Sequence, residues 1–149
     1  MADPVNQATI DLIKKFEGCR LQAYQDSIGI LTIGYGHTNN VQMGDIITQE
    51  QAEQFLRDDL HFFEDAVDNM LAEDADTSDN QFGAMVSLTY NIGALVFSRS
   101  HVLLFHNAGK FQDAANAFLA FDHAGGQRLP GLTRRRIAER ALYLADDET

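Results

Sequence analysis

The longest regular pattern in the chain runs from Thr48 to Leu71, and it limits the possible folds more than any other feature. Apolar residues recur there every three or four positions, which is the period of one face of an α-helix. They are Ala52, Phe55, Leu56, Phe63, Ala66, Val67, Met70 and Leu71. Thr48 and Gln51 form a capping-box pattern, because the hydroxyl and the amide can satisfy backbone N–H groups reciprocally. The pattern predicts one long helix over about 49–72.

Shorter helical patterns lie on both sides of this segment. Ile10, Ile13 and Phe16 recur every three residues before Gly18, which predicts a first helix over about 9–17. A second capping-box pair, Ser78 and Gln81, begins a helix that ends at Gly93. Further helices are predicted over Ser100–Asn107, Lys110–Asp122 and Thr133–Leu144, separated by Gly109, Gly125-Gly126 and Pro130-Gly131.

The segment Arg20–Gly36 departs from the helical period. Its β-branched and aromatic residues, interspersed with glycines, predict a small twisted antiparallel sheet. The fold class is therefore α+β in a single domain over residues 1–149. We expect a sheet lobe over about 18–47, the long connecting helix, and a helical lobe over about 78–145 that includes the first helix. The ends, Met1–Gln7 and Asp146–Thr149, are expected to fray.

Composition excludes several classes of protein. The chain has 149 residues, a net charge of −11 and one cysteine, Cys19. A general nucleic-acid-binding protein is basic, so that class is disfavoured. No apolar run approaches the length of a membrane span, and the first residues do not form a secretory signal. A disulfide framework and a cysteine-rich zinc site are excluded, and we expect no metal or cofactor. Cys19 is expected to be a small buried residue.

Charge is distributed unevenly along the chain. Twelve acidic residues lie between Asp45 and Asp79, where Arg57 is the one opposing lysine or arginine. The simplest interpretation of this acidic run is a solvated helix face. Arg128–Arg140 contains five arginines and one acid, Glu139. These arginines have two possible roles, contact with an anionic polymer or pairing with acids such as Glu17.

Three polar residues near the predicted sheet are candidates for chemistry. Glu17 ends the first helix, where the helix dipole disfavours a carboxylate by about 0.3–1 kcal/mol. Asp26 follows nine residues later and Thr32 six residues after that. A helix end followed by a hairpin can bring the three together, and two carboxyl groups with a hydroxyl suit glycoside hydrolysis. Each also has a simpler interpretation, as a surface glutamate, a turn aspartate and a strand threonine.

The sequence around these residues resembles the phage-type lysozymes, or endolysins, of the T-even and lambdoid kind. The resemblance is carried by residues 16–26 and 31–38, in which Glu17, Asp26 and Thr32 match the family in type and spacing. Residues 81–87 and 90–93 resemble the family's central helix of the large lobe. Gly125-Gly126, Leu129–Leu132 and Arg134–Arg136 resemble its C-terminal signature. The similarity extends from about Ile10 to Leu144.

The resemblance implies a lysozyme-like fold and hydrolysis of peptidoglycan between N-acetylmuramic acid and N-acetylglucosamine. Glu17 is then the general acid, and Asp26 and Thr32 position the attacking water, which inverts the anomeric carbon. Tyr90, Asn91, Ser100 and His37 are predicted to contact the sugars. Core packing for Tyr90 and a structural role for His37 stay open.

The family also implies where such a protein acts and with what partners. We expect a monomer without membrane insertion, held in the host cytoplasm until a holin pore gives access to the glycan strands. Three alternatives stay open. A lytic transglycosylase needs the acid without the Asp–Thr pair, a wall-binding module has no turnover, and an unrelated helical interaction protein would use the acidic face.

Overall fold

The computed structural model describes residues 3–147, so predictions for Met1, Ala2, Glu148 and Thr149 lie outside the described residues. Helices dominate, and short strands form two separate hairpins, which confirms the predicted α+β class. In chain order the elements are α1 (Gln7–Glu17), β1 (Arg20–Gln25), β2 (Leu31–Gly34), α2 (Gln49–Met70), α3 (Asp79–Ile92), α4 (Ala94–Ser98), α5 (His101–Asn107), α6 (Phe111–Ala117), a 3₁₀ turn (Phe118–Ala120), β3 (His123–Ala124), β4 (Gln127–Arg128) and α7 (Pro130–Leu144).

The first hairpin forms the sheet lobe. Strands β1 and β2 are antiparallel, with Tyr24 opposite Thr32 and an irregularity in the register between Arg20 and Tyr24. The segment after β2 returns along the free edge of β1, where Gln22 pairs with Ile46 in an isolated bridge. The backbone N–H of Ala23 donates to the carbonyl of Asp45 at 2.9 Å. The hairpin is thereby held on both sides, which fixes the turn that joins its two strands.

Helix α2 begins with the capping box that the sequence predicted. The Thr48 side chain accepts from the backbone N–H of Gln51, and the Gln51 side chain accepts from the backbone N–H of Thr48. Its buried side is not wholly apolar, because it comprises Ala52, Leu56, Leu60, Glu64 and Val67. The carboxylate of Glu64 accepts from the backbone N–H of Val5 at 2.8 Å. The acidic run is therefore not simply a solvated face.

Helix α3 lies at the centre of the helical lobe, and every residue from 83 to 89 is buried. Gly83 allows α1 to pack closely against it. A Cβ built on Gly83 would lie 1.8 Å from the Thr9 hydroxyl oxygen, so a larger residue would clash with the Thr9 side chain. The second predicted capping box, Ser78 with Gln81, is present at the start of this helix.

The structure corrects five details of the sequence prediction. The predicted helix over Lys110–Asp122 ends earlier, in a 3₁₀ turn, and α4 was not predicted. The loop around Gly125-Gly126 is a second hairpin, because both glycines adopt the positive φ that a tight two-residue turn requires. Cys19 is exposed rather than buried.

The fifth correction concerns the chain ends within the described range. Asn6 caps α1, with its side chain accepting from the Thr9 backbone N–H. At the other end, Asp147 accepts from the backbone N–H groups of Asp79 and Asn80 at 3.0 and 2.9 Å, so it stabilises the start of α3. These contacts oppose fraying. Among residues 3–147 no helix combines the length and apolarity needed to span a membrane.

Candidate active site

A cleft of about 850 Å³ is bordered by the end of α1, the first hairpin, α2 and α3. Acidic, aromatic and amide side chains line it, and its described lining contains no lysine or arginine. The lining residues are Glu17, Tyr24, Asp26, Thr32, Gly36, His37, Thr38, Asn39, Asn40, Phe55, Asp58, Asp59, Phe62, Phe63, Tyr90 and Asn91. The fold therefore brings Glu17, Asp26 and Thr32 to one cavity, together with three of the four residues predicted to contact sugars.

Glu17 is the last residue of α1, and its side chain is 17% exposed. One carboxylate oxygen, Oε2, accepts from Arg135 Nη1 at 2.6 Å. The other, Oε1, faces Gly36, because a Cβ built there would lie 2.5 Å from it. Gly36 also has a φ of 78°. A glycine is thus required twice at this position, for its backbone conformation and for the space that Glu17 occupies.

Arg135 belongs to a buried network of charges between α3 and α7. Its Nε donates to Glu139 Oε2 at 3.2 Å, and its Nη2 donates to the Ser87 carbonyl at 3.2 Å. Arg136 Nε lies 3.0 Å from Glu139 Oε1, although the pair lacks the alignment of a hydrogen bond. Burial raises the pKa of Glu139, and the two guanidinium groups oppose that effect. Arg135 and Arg136 therefore pair with acids and are not free to meet an external polymer.

Asp26 lies in the turn between β1 and β2. Its Oδ1 accepts from the backbone N–H groups of Ile28 and Ile30 at 3.0 and 2.8 Å, the geometry of an aspartate that closes its own turn. Among the described residues Oδ2 has no hydrogen-bond partner. The hydroxyl of Thr32 donates to the Ile30 carbonyl at 2.9 Å. The turn thus fixes both side chains and leaves Oδ2 available.

His37 joins the sheet lobe to α2. Its Nδ1 lies 2.7 Å from Asp59 Oδ2, and its ring stacks on Phe55 with the centroids 4.3 Å apart. Burial raises the pKa of Asp59, while the contact with His37 acts in the opposite direction. His37 is itself buried, so its structural role is evident and its accessible part lines the cleft.

Tyr90 and Asn91 lie at the end of α3. The Tyr90 hydroxyl donates to the Tyr35 carbonyl at 2.5 Å, and its ring meets Phe63 edge-on. Burial raises the Tyr90 pKa, and the charge of Glu17 adds to this. Asn91 Oδ1 accepts from Arg136 Nη2 at 2.7 Å, and Asn91 is exposed to the cleft.

Ser100 does not lie at this cleft. It is the N-cap of α5, where its hydroxyl oxygen accepts from the Leu103 backbone N–H at 3.2 Å, and it is 7% exposed. The structure therefore does not bring Ser100 together with the other predicted sugar contacts, and its side chain caps a helix instead.

The contribution of α2 to the cleft does not follow from the predicted apolar stripe. The stripe includes Phe55 and Phe63, and no site role is predicted for Asp58, Asp59 or Phe62. Residues three, four and seven positions apart share a helix face, so Phe55, Asp58, Asp59 and Phe62 could have been grouped from their spacing. The two adjacent phenylalanines at positions 62 and 63 are a further sequence sign of a second apolar face. In the structure Phe62 is 64% exposed.

A second cavity of about 620 Å³ adjoins the first, and Glu17 and Asn91 line both. Its other lining residues include the cations Lys15, Arg134 and Arg135. Negative charge therefore dominates one side of Glu17 and positive charge the other.

Comparison with known proteins places this site in a family. The phage lysozyme family matches residues 14–139. The chain belongs to the phage lysozyme family. This confirms the predicted resemblance, and the matched residues include the positions of Glu17, Asp26 and Thr32.

Individual phage lysozymes and their relatives support the assignment. The endolysin of Bacillus phage B103 is 43% identical over 146 residues, which cover 96% of this chain and 55% of that protein. The endolysin of Salmonella phage P22 is 43% identical over 141 residues, which cover 91% and 94% of the two chains. The muramidase domain of SpmX from Asticaccaulis excentricus superposes with a TM-score of 0.87 and 39% identity, over 95% of this chain and 98% of that one. This chain thus spans about half of the first relative and nearly all of the second.

Proposed function

We propose that the protein hydrolyses peptidoglycan at the β-1,4 bond between N-acetylmuramic acid and N-acetylglucosamine. The observation that carries the proposal is the meeting of Glu17, Asp26 and Thr32 at one cleft of about 850 Å³. Membership of the phage lysozyme family supports the same substrate. A cleft lined by carboxyl, amide and aromatic groups is suited to a glycan strand, whose sugars offer hydroxyl and acetamido groups and apolar ring faces.

Glu17 acts as the general acid. Because Arg135 donates to Oε2, the proton for the leaving glycosidic oxygen is carried by Oε1. Arg135 also fixes the direction in which the carboxyl group points, and a general acid must lie within hydrogen-bond reach of the atom it protonates.

Asp26 and Thr32 position the attacking water. The free Oδ2 of Asp26 accepts one hydrogen of the water. The Thr32 hydroxyl uses its own hydrogen on the Ile30 carbonyl, so its oxygen accepts the other. Attack from the face opposite the departing oxygen inverts the anomeric carbon, as in glycosidases that place a water between carboxyl and sugar.

The biological setting that we propose is lysis of a bacterial host at the end of phage growth. The protein would act as a monomer, remain in the host cytoplasm until a holin pore opens, and reach the wall in the periplasm. The endolysin names of the relatives support this role.

The proposal is tested by Glu17→Gln. The substitution keeps the shape of the side chain and removes the transferable proton, so clearing of outer-membrane-stripped Gram-negative cells should fall at least a hundredfold, the lower range for general acid catalysis. Glu73→Gln, at an exposed position away from the cleft, is the matched control and should clear at the wild-type rate. Equal clearing by wild type and Glu17→Gln would refute the acid assignment.

The released products distinguish hydrolysis from the alternatives. Mass spectrometry should find muramic acid with a reducing end and one added water. An anhydro end would instead identify a lytic transglycosylase, and binding to the wall without any soluble product would identify a binding module.

A further inference from the structure

The buried network behind Glu17 holds a carboxylate that the proposed reaction does not use. Glu139, on α7, has a side chain that is 0% exposed. It lies within 3.2 Å of Arg135 Nε and 3.0 Å of Arg136 Nε, and the Ser87 hydroxyl donates to it at 2.6 Å. Glu17, Arg135, Glu139 and Arg136 thus form a row of alternating charges that passes through the buried interior beside the cleft.

Both ends of this row reach the cleft. Arg135 donates to Glu17, and Arg136 donates to Asn91 at 2.7 Å. Glu17 and Asn91 are also the two residues that line both cavities. The buried charges are therefore connected to the residues at the junction of the two cavities rather than to an unrelated part of the surface.

Stability alone does not account for such a network. Removing two guanidinium groups and a carboxylate from water is costly, and buried ion pairs elsewhere have been replaced by apolar residues without loss of stability. Arg136 Nη1 is buried and has no hydrogen-bond partner among the described residues, so the network is not fully satisfied. A role in the site explains why the charges are retained.

We propose that Glu139 is a positioning residue, which holds the Arg135 guanidinium against Glu17 and balances its positive charge. Without Glu139, Arg135 would lose the partner of its Nε and act on Glu17 with an uncompensated charge. The ionised form of Glu17 would then be favoured over the protonated form that a general acid requires. This inference rests on the proposed role of Glu17.

Several other charged and titratable groups surround Glu17. Arg135 on α7 and Tyr90 on α3 face it directly. Asp26, His37 and Asp59 share its cleft, and Lys15 and Arg134 share the second cavity. Glu139 differs from all of these because it contacts Arg135 at Nε, whereas Glu17 contacts Nη1, and it lines neither cavity. Its substitution therefore changes the environment of Glu17 without replacing a residue of the cleft lining.

The test is the pH profile of clearing by Glu139→Gln, together with the ¹³C-detected titration of the Glu17 carboxyl carbon. The alkaline limb of the profile and the Glu17 titration midpoint should both move to lower pH by about half a pH unit or more. The shift should be smaller than one caused by a charge in direct contact with Glu17, because Glu139 acts through Arg135. Val102→Ala, which loosens the core on α5 away from the network, is the control and should move neither.

The contrary result is a folded Glu139→Gln protein in which both quantities stay at their wild-type values, and it would overturn the proposal. If this variant does not fold, Arg136→Met with Glu139→Gln removes one charge of each sign, and a smaller shift in the same direction is expected. Failure of both variants to fold would show that the network serves the fold, against the proposal.

A wild-type protein that clears no cells would contradict the proposed function, while the titration would still test the link between Glu139 and Glu17.

Discussion

At the scale of single residues, both the backbone conformation and the space taken by Glu17 require a residue without a Cβ at Gly36. Gly36→Ala would add a Cβ 2.5 Å from Glu17 Oε1 at a φ of 78°. The strain of such a φ costs a non-glycine residue about 1–2 kcal/mol, and displacement of the acid should lower kcat at least tenfold. Clearing kinetics and urea unfolding measure the two effects separately.

A matched substitution separates the strain from the displacement of Glu17. Gly109 has a φ of 75° and nothing within 4 Å of its added Cβ. Gly109→Ala should lose similar stability and keep its activity. Equal losses of activity in the two variants would show that the contact with Glu17 is unimportant.

Residues also show which part of the site sequence could predict. Asp26 matched the family in residue type and spacing, and its place in a turn was predictable because a short hairpin leaves little choice in where its side chains lie. Arg135, 118 positions from Glu17 in the chain, was one of several possible partners. Which arginine faces the protein interior depends on how α7 packs on α3. That packing joins residues far apart in the chain, so it cannot be predicted from local sequence.

At the scale of elements, the helix caps were predictable because the capping residues are close together in the chain. Ser100 begins a predicted helix and caps it, but it lies away from the cleft where its sugar contact was predicted. Ser100→Ala should lower the free energy of unfolding by about 1 kcal/mol and leave KM for wall fragments unchanged. Chemical denaturation and steady-state kinetics measure these quantities.

The comparison variant is Ser100→Thr, which keeps the hydroxyl and should recover most of the stability. A rise in KM for Ser100→Ala at unchanged stability would restore the original prediction of a sugar contact.

At the scale of the whole molecule, stability should depend on pH through His106, which lies in the core between Thr77 and Tyr143. Burial lowers its pKa from the ordinary 6.5 to about 4. Above pH 6.5 the ring is neutral in both folded and unfolded chains. As the pH falls from 6.5 to 4, the unfolded chain binds a proton that the folded one excludes, so up to about 3 kcal/mol of stability is lost.

The measurement is the urea midpoint of wild type and His106→Gln between pH 7 and pH 4. Burial raises the pKa of Asp59, Glu64 and Glu139, which favours the folded state as the pH falls, so the difference between the two proteins isolates His106. The advantage of the wild type should shrink toward acid pH. A difference between wild type and His106→Gln that stays constant over this pH range would contradict the assignment.

The sequence by itself determined the features that depend on neighbours in the chain. The long helix, both capping boxes, the hairpin with its turn aspartate, and the family motif all follow from local period, propensity and spacing. Only the tertiary structure decided that Glu64, Arg135, Arg136 and Glu139 are buried, that Asp59 pairs with His37, and that α2 lines the cleft with aromatic side chains. The physical reason is that burying a charge is costly unless a partner compensates it, so a charged residue is predicted to be solvated when its partner is unknown. Those partners lie on elements that are far apart in the chain.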